Sequence, residues 1–140
     1  MFGWLKNRNV TPLLFPDNRS AFDYACRHLD NPILVEAVIP ALVLEEGKRG
    51  SEGERYFLLR LAGKERGREI WGCTLKEATT FPATGDLIGF RVVRYDPDLP
   101  EGLDLLGYIA YAFDPVYAPG KGWRIGRNFT PDNIRQTVRW

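Results

Sequence analysis

The stretch that most constrains the fold is Gly85-Asp86-Leu87-Ile88-Gly89-Phe90-Arg91-Val92-Val93-Arg94-Tyr95. Gly-Asp supplies a turn, and the β-branched and aromatic residues after it suit a pleated, half-buried strand. Side chains alternate along a strand, so Ile88, Phe90 and Val92 share one face. Leu87, Gly89, Arg91, Val93 and Tyr95 share the other. Only the first set is purely apolar, and it is placed inward.

Around this strand the chain reads as one domain over residues 1–140. Residues 1–16 are irregular, with Pro12 and Pro16 blocking helix. A helix is expected over 18–30, N-capped by Ser20, with Phe22, Ala25, Cys26 and Leu29 forming one apolar stripe. Asp30-Asn31-Pro32 stops it. Residues 33–126 read as β-structure. A first strand spans about Val35–Glu45, bent near Pro40, because proline inside a strand implies an edge, a bulge or a corner. A polar, glycine-rich loop follows at 46–53. Strands at Arg55–Ala62 and Arg68–Thr74 form a hairpin.

Leu75–Ala78 suits one helical turn. After the Gly85–Tyr95 strand comes an acidic loop with Asp96, Asp98, Glu101 and Asp104. A fifth strand, Leu105–Phe113, is expected to end at Asp114-Pro115, and Trp123–Ile125 offers a short edge strand. Thr130-Pro131-Asp132 opens a C-terminal helix over 131–139. The fold class is therefore β-rich α+β with five or six strands. Two architectures fit: a small barrel of the OB type, or a strongly twisted antiparallel sheet, each with an N-terminal and a C-terminal helix.

Composition narrows the function classes. The 140 residues carry 19 Lys and Arg against 18 Asp and Glu, a formal net charge of +1, which gives no overall pull toward nucleic acid or anionic membrane. The charge is uneven, since residues 33–118 hold ten basic and fourteen acidic groups, whereas 119–140 hold five and one. No apolar run is long enough to span a bilayer, and the N-terminus lacks a signal-peptide core, so a cytoplasmic location is expected. Cys26 and Cys73 form no C-x-x-C pair and read as free thiols.

Catalytic patterns are missing from the sequence. His28 is the single histidine and sits two positions from Cys26, so on a helix the two face apart. No zinc spacing, EF-hand order, phosphate loop or G-x-S-x-G occurs, and no metal or cofactor is expected. An enzyme reading rests only on loop carboxylates such as Asp86, Asp96 and Asp98, as in a small hydrolase or transferase.

Binding has more support. Tyr56, Arg60, Arg68, Trp71 and Arg91 lie on strands where aromatics could stack bases while arginines track phosphates. In the tail, Lys121, Trp123, Arg124 and Arg127 mix cations with aromatics and suit an acidic protein, a nucleic-acid strand or self-association. The plain alternative is that these aromatics are core and the arginines a solvated face. The expectation is a binding module for a protein or single-stranded nucleic acid, with a scaffold or oligomerisation role as a further alternative.

Two resemblances add to this. Trp71-Gly72-Cys73-Thr74-Leu75-Lys76-Glu77-Ala78 and Gly85–Val92 are similar to a small β-barrel segment appended to plasmid-transfer relaxases. The relaxase tyrosine and histidine cluster have no counterpart in this chain, so no catalytic role comes with it. Residues 1–6, 21–26, 40–44 and 85–87 together resemble a group of small uncharacterised bacterial proteins. That resemblance implies a stand-alone protein and no particular activity.

Overall fold

The computed structural model describes residues 11–63 and 68–129. In chain order they form β1 (Leu13–Leu14), α1 (Asn18–His28), β2 (Val38–Arg49), β3 (Arg55–Leu61), β4 (Glu69–Cys73), β5 (Leu87–Tyr95), β6 (Leu105–Ala118) and β7 (Gly122–Asn128). Every strand pair is antiparallel. The strands make one open sheet in the order β6-β5-β2-β3-β4, and both β7 and the two-residue β1 pair the second half of β6.

The barrel does not close. β4 comes alongside β6, but among the described residues no ladder joins them. Side chains fill the seam instead. The Phe90 ring, 1% exposed, wedges between two glycine faces. A Cβ on Gly72 would stand 3.3 Å from that ring, and a Cβ on Gly107 only 2.7 Å from it. At one end Arg68, just before β4, grips Asp104, just before β6.

The curled sheet buries residues on both faces. Inside lie Ile39, Val43, Phe57, Leu59, Ile88 and Val92, the alternate positions that period-2 patterning selects. Outside, α1 presses Ala21, Phe22 and Ala25 onto Leu42, Leu87 and Trp123. The strand that organises the sequence thus pairs β2 and β6 and contributes Ile88, Phe90 and Val92 inward, as its alternation predicts.

Several expectations are corrected. Among the described residues there is one helix, where two were expected, and the C-terminal helix at 131–139 lies outside the described residues. The helix over 18–30 runs Asn18–His28, and its cap is Asp17, whose carboxylate accepts from the Ser20 backbone N–H at 2.7 Å. Ser20 is inside the helix rather than capping it. That bond holds the Asp17 carboxyl below its ordinary range.

Pro40 sits within β2 opposite Gly89 without breaking it. Its carbonyl accepts from Ala62 at 2.8 Å, one residue past the end of β3, so its missing N–H falls where the ladder on that side has finished. The expected loop at 46–53 is shorter, because β2 continues to Arg49 through register shifts after Val43 and after Glu46. β6 runs on through Asp114-Pro115, where a shift in its pairing with β7 tolerates the proline.

Another shift separates Gly89/Tyr111 from Phe90/Ile109. Ala110 is the extra residue, so Tyr111 and Ile109 do not share the face that simple alternation gives them. Leu75–Ala78 is a turn, closed by Ala78 N–H to the Leu75 carbonyl at 3.0 Å, and not a helical turn. No helix among the described residues is long and apolar enough to cross a membrane.

Candidate binding face around Trp71

β3 and β4 pair so that Tyr56 faces Cys73, Leu58 faces Trp71 and Arg60 faces Glu69. Since Phe57, Leu59 and Leu61 point inward, these six residues share the outer face. Trp71 is 53% exposed, which is unusual for so large an apolar ring. Its position is set by Gly47 on β2. A Cβ there would meet the Trp71 ring at 2.4 Å, so only glycine lets the indole lie against the β2 backbone. One side of the ring is seated and the rest is open.

The ring bounds two grooves. The larger, about 700 Å³, is lined by Glu45, Glu46, Lys48, Arg49, Tyr56 and Trp71, with Gly47 and Gly50 in its floor. The smaller, about 290 Å³, is lined by Arg68, Glu69, Ile70, Trp71, Glu101 and Leu105 together with Gly102. Trp71 is the wall they share.

Charge pairing decides which cations face solvent with capacity to spare. Arg60 bonds Glu69 at 2.6 Å. Arg68 is committed to Asp104 through two bonds of 2.9 and 2.6 Å, and the same carboxylate accepts from the Gly102 backbone at 3.2 Å. These donors hold the Asp104 carboxyl below its usual range and raise Arg68 further. Arg68 therefore ties β4 to the start of β6, with both terminal nitrogens engaged by Asp104. Arg55 pairs with Glu46 at 3.4 Å and also covers the Phe81 ring. Lys48 and Arg49, both exposed, carry no ion pair among the described residues.

The Tyr56 hydroxyl is pushed above its ordinary pKa by the neighbouring Cys73, then by burial and by Glu54. It remains a neutral phenol across the physiological range, able to donate and accept. Cys73 is likewise raised, chiefly by burial, and is an unreactive thiol at neutral pH. Cys26 and Cys73 are both free and half-buried.

The structure thus brings together Tyr56, Arg60 and Trp71, with Arg68 at the margin. Arg91 lies apart on β5 and donates to the Glu36 carbonyl at 3.5 Å. The tail candidates lie at the opposite edge of the sheet. Trp123 is 7% exposed and packs among Phe15, Phe113 and Tyr117, so it offers no stacking face. Arg124 pairs with Asp114 at 3.3 Å and Arg127 with Asp86 at 2.6 Å, and Lys121 is exposed on the β6–β7 turn. The excess positive charge of that segment is therefore partly matched by acids of neighbouring strands.

Of the loop carboxylates offered for an enzyme reading, Asp86 and Asp96 have structural partners. Asp86 accepts from the Ala83 backbone at 2.8 Å as well as from Arg127, and Asp96 accepts from the Asp98 backbone at 3.1 Å. Among the described residues no three His, Cys, Asp or Glu side chains converge as a metal site would need.

Gly47, Lys48 and Arg49 carry no role in the sequence expectation, which puts them in a loop. A polar hairpin tip two strands from an outward Trp is the signal that would have found them. Compared with known families, curated proteins and solved structures, the chain matches none.

Proposed function

We propose that this protein is a non-catalytic binding module that takes single-stranded nucleic acid on the outer face of β3 and β4. A base stacks on Trp71 beside Tyr56, and Lys48 and Arg49 at the β2–β3 hairpin meet the backbone phosphate. The observation that carries the reading is the seating of a half-exposed Trp71 on Gly47 beside Lys48 and Arg49, which make no ion pair among the described residues. Base–aromatic stacking contributes roughly 1–3 kcal/mol per base and tolerates any sequence, because every base has a π-face.

Strand order supports the same placement. The run β6-β5-β2-β3-β4 is the order of an OB sheet left unclosed between its last and third strands. In OB folds the second and third strands and the loop joining the first two carry the ligand. Their equivalents are β3, β4 and the Gly50 hairpin.

The test is retardation of single-stranded oligonucleotides at low salt, with Trp71→Ala and a Lys48→Glu/Arg49→Glu double variant alongside. Binding that weakens as salt rises, and that either variant removes, is the expected result. No retardation at low salt would overturn the reading.

A protein partner is the second reading, favoured by exposed Leu34, Val35, Val93 and Leu106. The first three lie close in register, since Glu36 N–H donates to the Val92 carbonyl at 2.8 Å.

A further inference from the structure

Trp71 divides two grooves that differ in the uncommitted cations they offer. On the hairpin side, Glu46 is engaged by Arg55, which leaves Lys48 and Arg49 with Glu45 in the lining, while the Glu54 carboxylate lies beside Gly50 and Tyr56 at its margin. On the other side, Arg68 gives both terminal nitrogens to Asp104 and Glu69 is held by Arg60, while Glu101 adds a further negative charge that feels Arg68 at longer range without a direct ion pair among the described residues. A phosphate crossing from the first groove into the second would leave Lys48 and Arg49 and meet the carboxylates of Glu69, held by Arg60, and Glu101.

From this asymmetry we infer that the site takes a nucleotide or the end of a strand rather than the middle of a long one. The phosphate lies over Lys48 and Arg49, the base lies on Trp71, and the chain stops or turns away at the acidic groove. The inference rests on the nucleic-acid reading above and sharpens it. OB faces accommodate roughly 4–16 nucleotides, and this one accommodates fewer because, among the described residues, its unpaired cations stand on one side of its aromatic platform.

The alternative geometry, a strand running across both grooves, needs cations beside Leu105 and Glu101. Among the described residues Arg68 is the cation lining that groove, and both its terminal nitrogens already serve Asp104. Its Nε is buried and has no hydrogen-bond partner, so it is not presented to a ligand.

The experiment is a length series. Oligo-deoxythymidylates of one, two, four and eight residues, each with a 5′-phosphate, are titrated at low salt while tryptophan fluorescence is followed. The expected result is affinity that levels off by two residues, apart from the statistical gain of longer ligands. The salt dependence should correspond to one or two phosphates, a log–log slope of about −0.7 to −1.4 for a single strand. A Glu69→Gln/Glu101→Gln double variant should restore length dependence by freeing Arg60 and removing the acidic barrier.

Affinity that keeps rising to eight residues in the wild type, with a steeper salt slope, would overturn the short-site inference and leave the nucleic-acid reading standing. Binding of no length at all would overturn the nucleic-acid reading itself.

Discussion

Trp71 and Trp123 stand on the two edge strands of one sheet, β4 and β7, and they do opposite things. Trp123 is covered by Phe15, Phe113 and Tyr117, and the layer that α1 lays on this side of the sheet continues around it. Trp71 lies against the backbone at Gly47 and borders open grooves on either side. Strand position and residue type are the same for both. What differs is whether a second layer of chain reaches that edge. An edge aromatic becomes core where a helix crosses it, and becomes a surface feature where it does not.

Truncation separates the two most sharply. Trp123→Ala should cost about 3–5 kcal/mol of stability, read as a lower urea midpoint at unchanged slope, because a large buried ring leaves a cavity. Trp71→Ala should cost no more than about 1 kcal/mol, as befits a half-exposed side chain. It should weaken oligonucleotide binding by about 10- to 100-fold, the loss of one stacked base. Equal destabilisation by the two would erase the comparison.

Gly47→Ala sharpens it next. The added methyl displaces the Trp71 ring, which can swing outward, so stability should shift by less than about 1 kcal/mol while affinity falls. Near-UV circular dichroism, read against Trp71→Ala, should show the reoriented indole.

The acid response comes after this. The Asp104 carboxyl is depressed by Arg68, so its contribution is present at neutral pH and is lost as pH falls below the ordinary carboxylate range, about 4. Thermal melts of the wild type should therefore drop on acidification, and Asp104→Asn should flatten that slope while starting from a lower midpoint. An unchanged slope would remove the seam from the account.

The smallest effect lies far from either tryptophan. Glu36 adopts φ 72° in a turn closed by Ala37 N–H to the Leu34 carbonyl at 2.9 Å. Left-handed backbone disfavours a side chain, so Glu36→Gly should raise stability by a few tenths to about 1 kcal/mol by urea denaturation.

The inward set Ile88, Phe90 and Val92 was legible from alternation alone, as was the β3–β4 hairpin, whereas whether Tyr56 and Trp71 are core or exposed was not. Period-2 patterning fixes a face as long as the ladder is regular. It fails at bulges, which is why the faces of Ile109 and Tyr111 cannot be read from spacing and why β2 outruns its expected end. It also cannot tell an open lip from a closed barrel. That outcome depends on Gly72 and Gly107 admitting the Phe90 ring between strands far apart in sequence.

The same limit applies to the site. Tyr56 and Trp71 were visible as a pair two strand positions out of register, but the arginines offered with them were not separable from ion-pair partners. Arg60, Arg68, Arg124 and Arg127 each find a carboxylate from another strand or loop, and no local pattern announces such pairs. Lys48 and Arg49 matter because no carboxylate pairs with them among the described residues.

The most direct test of Trp71 as the ligand platform is an NMR titration of the protein with a short 5′-phosphorylated oligo-deoxythymidylate at low salt. The indole N–H resonances of Trp71 and Trp123 are assigned by substitution. The account predicts that the Trp71 indole and the amides of Gly47, Lys48, Arg49 and Tyr56 shift while the Trp123 indole stays fixed. Shifts confined to Trp123, to β7 or to the Leu34–Val35–Val93 patch, with Trp71 unmoved, would contradict it.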